Sequence, residues 1–167
     1  MTPNRHCLAA IFSVMIASLP PLPAEDAPPQ TFTVRTTAYT HTEADHLKYG
    51  NKSALGTELQ YTPAYHSVAA DWSRFPLGTK FRIAGYDRVF VVDDYGSALV
   101  GTQTIDIYFP DKERMNHWGT RHVEVQVVAF GSFHESRKIL ASRANHPYCL
   151  AMLATMTADD WFVNYGR

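Results

Sequence analysis

From residue 32 to residue 130, apolar and polar positions alternate in short runs broken by Pro, Gly or Asp. "FTVRTTAY" (32–39) places Phe32, Val34, Thr36 and Ala38 on one face of an extended chain. "YHSVAA" (65–70), "KFRIAG" (80–85), "RVFVVD" (88–93), "TIDIYF" (104–109) and "HVEVQVVAF" (122–130) repeat the pattern. Between them only "PDKERMNHWG" (110–119) suggests a helical turn. Six short strands around a small core predict a closed barrel, because closure removes the unpaired sheet edges.

From residue 132 the period changes to helical. Ile139, Leu140 and Arg143 share a face, Pro147 forces a break, and Leu150, Leu153, Ala154 and Met156 follow at helical spacing. The expectation is two helices packed on the barrel by Leu140, Leu150, Leu153 and Met156, within an appendage covering 132–167. At the other end Arg5 precedes the apolar run "CLAAIFSVMIASL" (7–19), and "PPLPAED" offers small-residue cleavage sites near Ala24. That pattern predicts a secretory signal over 1–24 and a Pro-rich linker over 25–31. The mature chain is then exported, to the periplasm or cell envelope, with no integral membrane span.

The 167 residues, 46% of them hydrophobic, suffice for one domain with its own core, over 32–131. A net charge of −1 gives no sign of an electrostatic grip on nucleic acid or acidic lipid. Loss of the signal removes Cys7, so Cys149 stays without an intrachain disulfide partner, in apolar "PYCLAMLATM". The loop "HTEADH" (41–46) lacks an established zinc spacing. No metal or cofactor is expected, and the chain reads as a monomer.

The costly residues are the acids. In "TIDIYF", Ile105, Ile107 and Phe109 point one way and Thr104, Asp106 and Tyr108 the other. With the apolar set inward, Asp106 faces a possible groove. Asp94 ends the preceding strand, and if the two strands are neighbours both carboxylates reach one side of the barrel. Asp93 and Asp94 also suit a turn cap, and Asp71 precedes a turn that it could brace.

"AADWSRFPLGT" (69–79), "VVDDYGSALVG" (91–101) and "IDIY" (105–108) resemble the three aspartate-centred motifs of the 3D domain. "TTAYT" (36–40) and "SALGT" (53–57) are similar to that family's early strand and its Thr/Gly turn. The resemblance implies a six-stranded double-psi β-barrel with a C-terminal helical appendage. It matches Asp71, Asp94 and Asp106 to the family's three aspartates and leaves Asp93 outside the pattern. It also implies lytic cleavage of the β-1,4 bond between N-acetylmuramic acid and N-acetylglucosamine in peptidoglycan, with a 1,6-anhydro product. Asp106 is then the single acid/base, with Asp94 and Asp71 in support. Tyr39, Thr40, Thr57, Gly96 and Tyr108 are the candidate substrate contacts, and Tyr95 and Trp72 further candidates to stack on sugar rings. "GTQTID" (101–106) is one residue longer than the family spacing, which implies a bulge or a longer turn, and Trp72 stands where the family often has Pro. The competing class is an expansin-like wall-binding module that does not cut.

Overall fold

A computed structural model describes residues 31–44 and 46–156. The expected signal (1–24), most of the linker and the last stretch of the appendage lie outside these residues. Among those described, no helix is long and apolar enough to cross a membrane.

Six strands form: β1 (Thr31–Tyr39), β2 (Tyr65–Ala69), β3 (Lys80–Ile83), β4 (Val89–Asp94), β5 (Ile105–Tyr108) and β6 (Arg121–Ala129). They hydrogen-bond in the order β1-β5-β2-β4-β3-β6 and close into a ring, as the short punctuated strands predict. β1 with β5 and β2 with β4 run parallel, and the other pairs are antiparallel. Alternation sends Val34, Val68, Phe81, Phe90, Val92, Ile105, Ile107 and Val125 inward, all at most 1% exposed. Burying each such side chain is worth ~1.5–3 kcal/mol, enough to make the ring the main source of stability.

The segment read as a turn is a helix, α1 (Lys112–Trp118). Asp111 caps it by accepting Arg114 N–H at 2.9 Å, and Gly119, at φ 61°, ends it. Trp118 at its end is buried and donates its indole N–H to Thr36 Oγ1 at 3.2 Å.

Two helices follow β6, α2 (Phe133–Ala141) and α3 (Pro147–Thr155). Ser132 caps α2 by accepting Glu135 N–H at 3.1 Å, while Pro147 opens α3 at a position where its missing N–H costs nothing. Leu140, Cys149, Met152 and Met156 are buried against the ring, and Leu153 is half-buried. Leu150, expected in that contact, is 51% exposed: it sits one residue past Cys149, on the solvent side of the helix. The appendage is also anchored by its backbone. Ser132 N–H donates to the Leu77 carbonyl at 2.9 Å, and Leu77 N–H to Ser136 Oγ at 2.8 Å. Gly131 lies so close to that turn that a Cβ there would meet Leu77 O at 2.1 Å and Pro76 O at 2.5 Å. Only glycine fits.

Candidate active-site groove

Pairing lines up four positions from four strands. Thr37 on β1 pairs with Asp106 on β5, Asp106 with Ala69 on β2, and Ala69 with Asp94 on β4. β4 and β5 are therefore not neighbours, contrary to the supposition that brought their acids together. β2 runs between them, and the short side chain of Ala69 separates the carboxylates. Neighbouring strands lie about 4.8 Å apart, so two spacings put the aspartate backbones roughly 10 Å apart, within reach of one sugar unit.

Asp94 reaches this row through an irregularity. Val68 pairs with Val92 but Ala69 with Asp94, so Asp93 is the extra residue of a bulge in β4. Strict alternation from inward Val92 would turn Asp94 into the core. The slip of one residue puts it on the face of Ala69 instead. Both adjacent acids thus leave the interior, with different partners.

Asp94 is held by three donors. Tyr39 O–H donates to Oδ2 at 2.9 Å, while Ala54 N–H at 2.8 Å and Tyr95 N–H at 2.9 Å donate to Oδ1. Burial pushes its carboxyl up, and these bonds oppose the shift. Asp106 is less encumbered. Thr37 O–H donates to Oδ1 at 2.6 Å, and Oδ2 accepts nothing among the described residues. Burial, reinforced by the charges of Glu43 and Asp94, raises the Asp106 carboxyl to about 6 against the opposing Thr37 bond. Both carboxyls are raised by burial; Asp94 is saturated with donors, while Asp106 keeps an oxygen with no donor among the described residues.

Both line a groove of ≈ 840 Å³. Thr37, Ala69, Asp94 and Asp106 line it from the sheet, Glu43, His46, Lys48 and Tyr49 from the loop after β1. Arg143, His146 and Tyr148 contribute from the segment between α2 and α3 and from α3 itself. Arg143 Nη1 donates to Tyr95 O–H at 3.1 Å, tying the appendage to the groove. Glu43, Asp94 and Asp106 line the groove together with Lys48, Lys52 and Arg143.

Of the expected substrate contacts, Tyr39 and Gly96 line the groove, and so does Tyr95. Thr40, Thr57 and Tyr108 do not. Thr40 is fully buried. Thr57 is exposed and bonds Ser53 Oγ at 3.1 Å, and Tyr108 is covered, its hydroxyl 2.8 Å from His41 Nδ1. Trp72 cannot stack on a ligand, being fully buried with its N–H on the Asp94 carbonyl at 2.9 Å. Asp71 lies outside the groove. Its Oδ1 accepts Ser73 N–H at 2.8 Å and Ser73 O–H at 2.6 Å, and its Oδ2 accepts Gly101 N–H at 2.6 Å. It braces the loop that leads into β5, as its place before a turn allowed. β5 pairs with β1 without a register shift, so no bulge falls within that pairing. Asp93 turns to Ser67 O–H at 2.6 Å and Tyr65 O–H at 2.8 Å, away from the groove, and burial raises its carboxyl to about 6. No group of His, Cys, Asp and Glu among the described residues could hold a metal ion.

The arrangement defines a class: a small β-ring with two burial-raised carboxylates, one of them saturated with donors, in a groove. Within it, residues 66–130 match the family model of the 3D domain. It is similar to the putative cell wall shaping protein YabE of Bacillus subtilis (32% identical over 99 residues, 59% of this chain and 23% of that protein). It is likewise similar to the cell wall-binding protein YocH of the same organism (32% over 96 residues, 58% of this chain and 32% of that one). The chain thus spans a quarter to a third of these relatives. The crystal structure of MltA from E. coli aligns over 48% of this chain and 28% of its own at 27% identity, with a TM-score of 0.36, too low to argue from.

Proposed function

We propose that this protein is an exported peptidoglycan lytic transglycosylase, built on a double-psi β-barrel and working in the periplasm or cell envelope. It cleaves the β-1,4 bond between N-acetylmuramic acid and N-acetylglucosamine. The observation that carries the reading is the contrast between Asp106 and Asp94. An acid that protonates a leaving oxygen must hold its proton near neutral pH and present a free oxygen. Asp106 combines a carboxyl raised to about 6 with an Oδ2 that accepts nothing among the described residues. It gives its proton to the bridging oxygen as the bond to C1 breaks, then accepts one from the C6 hydroxyl as that oxygen closes on C1. Proton and bond balance without water.

A hydrolytic glycosidase needs a second carboxylate to activate water or to attack C1. Asp94 has both oxygens occupied by Tyr39, Ala54 and Tyr95, so it serves by charge and by fixing the loops. Asp71 supports at one remove, by bracing the loop before β5. Tyr49, Tyr95 and Tyr148 are aromatic groups of the groove available to a sugar face, while Tyr39 is buried against Asp94.

Digestion of purified peptidoglycan in heavy-oxygen water tests the mechanism. The expected products carry an anhydro ring and no label. One heavy oxygen per cut makes the protein a hydrolase. No cut, with retained binding to sedimented peptidoglycan, supports instead the expansin-like binding module, a reading that the similarity to the cell wall-binding protein YocH favours.

A further inference from the structure

A second cavity, of ≈ 390 Å³, opens where β2 and β4 begin, at the opposite end of that pair from Ala69 and Asp94. Its size lies within the range of small-ligand sites. Tyr61, Phe90, Phe109 and Trp118 line it, and Tyr86, 39% exposed, lines it too. Guanidinium groups lie over these rings: Arg88 at 5.3 Å and Arg114 at 5.9 Å from the Tyr61 centroid, Arg121 at 4.5 Å from that of Trp118. Among the described residues only Arg114 has a carboxylate partner, Asp111. Arg121 donates to the carbonyls of His117 and Trp118, which leave its charge uncompensated. Set against Glu113 and Asp111, the three arginines leave one positive charge over, which suits a monoanion and not a phosphate dianion.

A second feature points to a ligand. His66 is 2% exposed and lines the same cavity. Its partner at Nε2 is the Tyr108 carbonyl, 2.5 Å away, and a carbonyl can only accept, so the proton sits on Nε2. Nδ1 is left as a buried acceptor with no donor among the described residues. Buried polar atoms are nearly always satisfied, so an orphaned acceptor beside uncompensated guanidinium groups is not what packing alone produces.

We propose that this cavity binds the C-terminal carboxylate of a short peptide. Arg88 and Arg121 hold the carboxylate, the aromatic walls take a small apolar side chain, and His66 Nδ1 accepts the N–H of the last amide. Tyr61, edge-on to His66 at 4.6 Å, moves aside as the ligand enters. A guanidinium fork matches a carboxylate in a way that a sugar hydroxyl does not. The choice of a peptide rests on the wall-directed reading above, since peptidoglycan carries peptides that end in carboxylates. The two sites are separate, so each reading can fail alone.

The test uses the full mature chain with N-acetyl-D-alanyl-D-alanine and its C-terminal amide. The acid should change Trp118 emission saturably, a change lost in Trp118→Phe, and should shift the imidazole nitrogen resonance of His66 Nδ1. The amide and the Arg88→Gln variant should each bind about tenfold more weakly or worse, as expected for loss of a charge-assisted contact. Asp106→Asn should bind the dipeptide as the wild type does, whatever happens to cleavage. Equal binding of acid and amide, no saturable response, or wild-type affinity in a folded Arg88→Gln overturns the proposal. If Arg88→Gln does not fold, Arg88→Lys takes its place, and full affinity in that variant counts equally against the guanidinium fork.

Discussion

Asp106→Asn separates catalytic from structural roles because its two expected effects have opposite sign. The carboxyl is raised from 3.8 to about 6, chiefly by burial, so the folded protein holds the proton more tightly than the unfolded chain does. Stability from such a group is present below the unfolded value and declines as pH rises through the folded one. Two units correspond to about 3 kcal/mol of destabilisation at pH 7.5, shrinking to less than about 1 kcal/mol at pH 4. Asparagine carries no charge, and its carbonyl can still accept from Thr37, so the variant recovers most of that difference. In a domain of this size ~1 kcal/mol moves Tm by about 2–8 °C, which makes the gain measurable. Thermal melts of both proteins at pH 4 and pH 7.5, run alongside muropeptide analysis, read both effects. The expected result is a variant that melts higher at pH 7.5, melts nearly alongside the wild type at pH 4, and releases no anhydro-muropeptides. A variant no more stable at pH 7.5, or one with wild-type cleavage, refutes the assignment of Asp106 as a raised acid.

Asp94→Asn removes a charge that helps raise Asp106, so the pH at which cleavage falls off should move to lower pH and the rate should drop; an unmoved profile assigns Asp94 no electrostatic part. Asp93→Asn should leave cleavage unchanged, because that side chain faces Tyr65 and Ser67, and its stability relative to wild type should be greater at pH 7.5 than at pH 4. A cleavage loss equal to that of Asp94→Asn assigns the supporting role to Asp93 instead. Truncation after residue 131 exposes the surface that Leu140, Cys149, Met152 and Met156 bury, at ~1.5–3 kcal/mol each, and should lower Tm by about 10 °C or more. It also strips Arg143, His146 and Tyr148 from the groove, so KM should rise, and an unchanged melting temperature refutes the docking argument.

Much of this architecture follows from local pattern. Alternation in β5 is enough to place Ile105 and Ile107 in the core and Asp106 outside, because side-chain direction in a strand depends only on parity. The acids' meeting point is not local. It depends on β2 lying between β4 and β5 and on a bulge opposite Ala69, and both are facts of pairing that no run of residues states. The same holds for Thr40, Thr57 and Tyr108, which share motifs with groove residues yet are buried or turned aside. Arg143, His146 and Tyr148 were beyond reach because helical periodicity shows which side of α2 or α3 is apolar, not which part of the ring it covers. "KERMNHW" had its signals in view, an Asp before it and a Gly after it, but a seven-residue helix supplies too few turns for periodicity to register.

The row Thr37–Asp106–Ala69–Asp94 gives the most exacting test of how the carboxylates cooperate. Ala69 is 4% exposed and lines the groove between the two acids, so its methyl group sets the width of the gap a sugar must enter. Ala69→Leu adds a branched side chain on the groove side of β2, where Ala69 packs with Tyr39, Leu59, Leu99 and Tyr108. The cost in stability should stay within the ~1–3 kcal/mol of ordinary overpacking. The chemistry should suffer more. Leucine occupies the position between Asp106 and the Asp94 cluster and withdraws Asp106 further from water, which pushes its carboxyl higher still. Cleavage should be lost while Ala69→Gly retains it, with both variants folded by circular dichroism. If Ala69→Leu folds and cuts at the wild-type rate, the substrate does not pass between these carboxylates, and the alignment of the four strands has no part in the reaction.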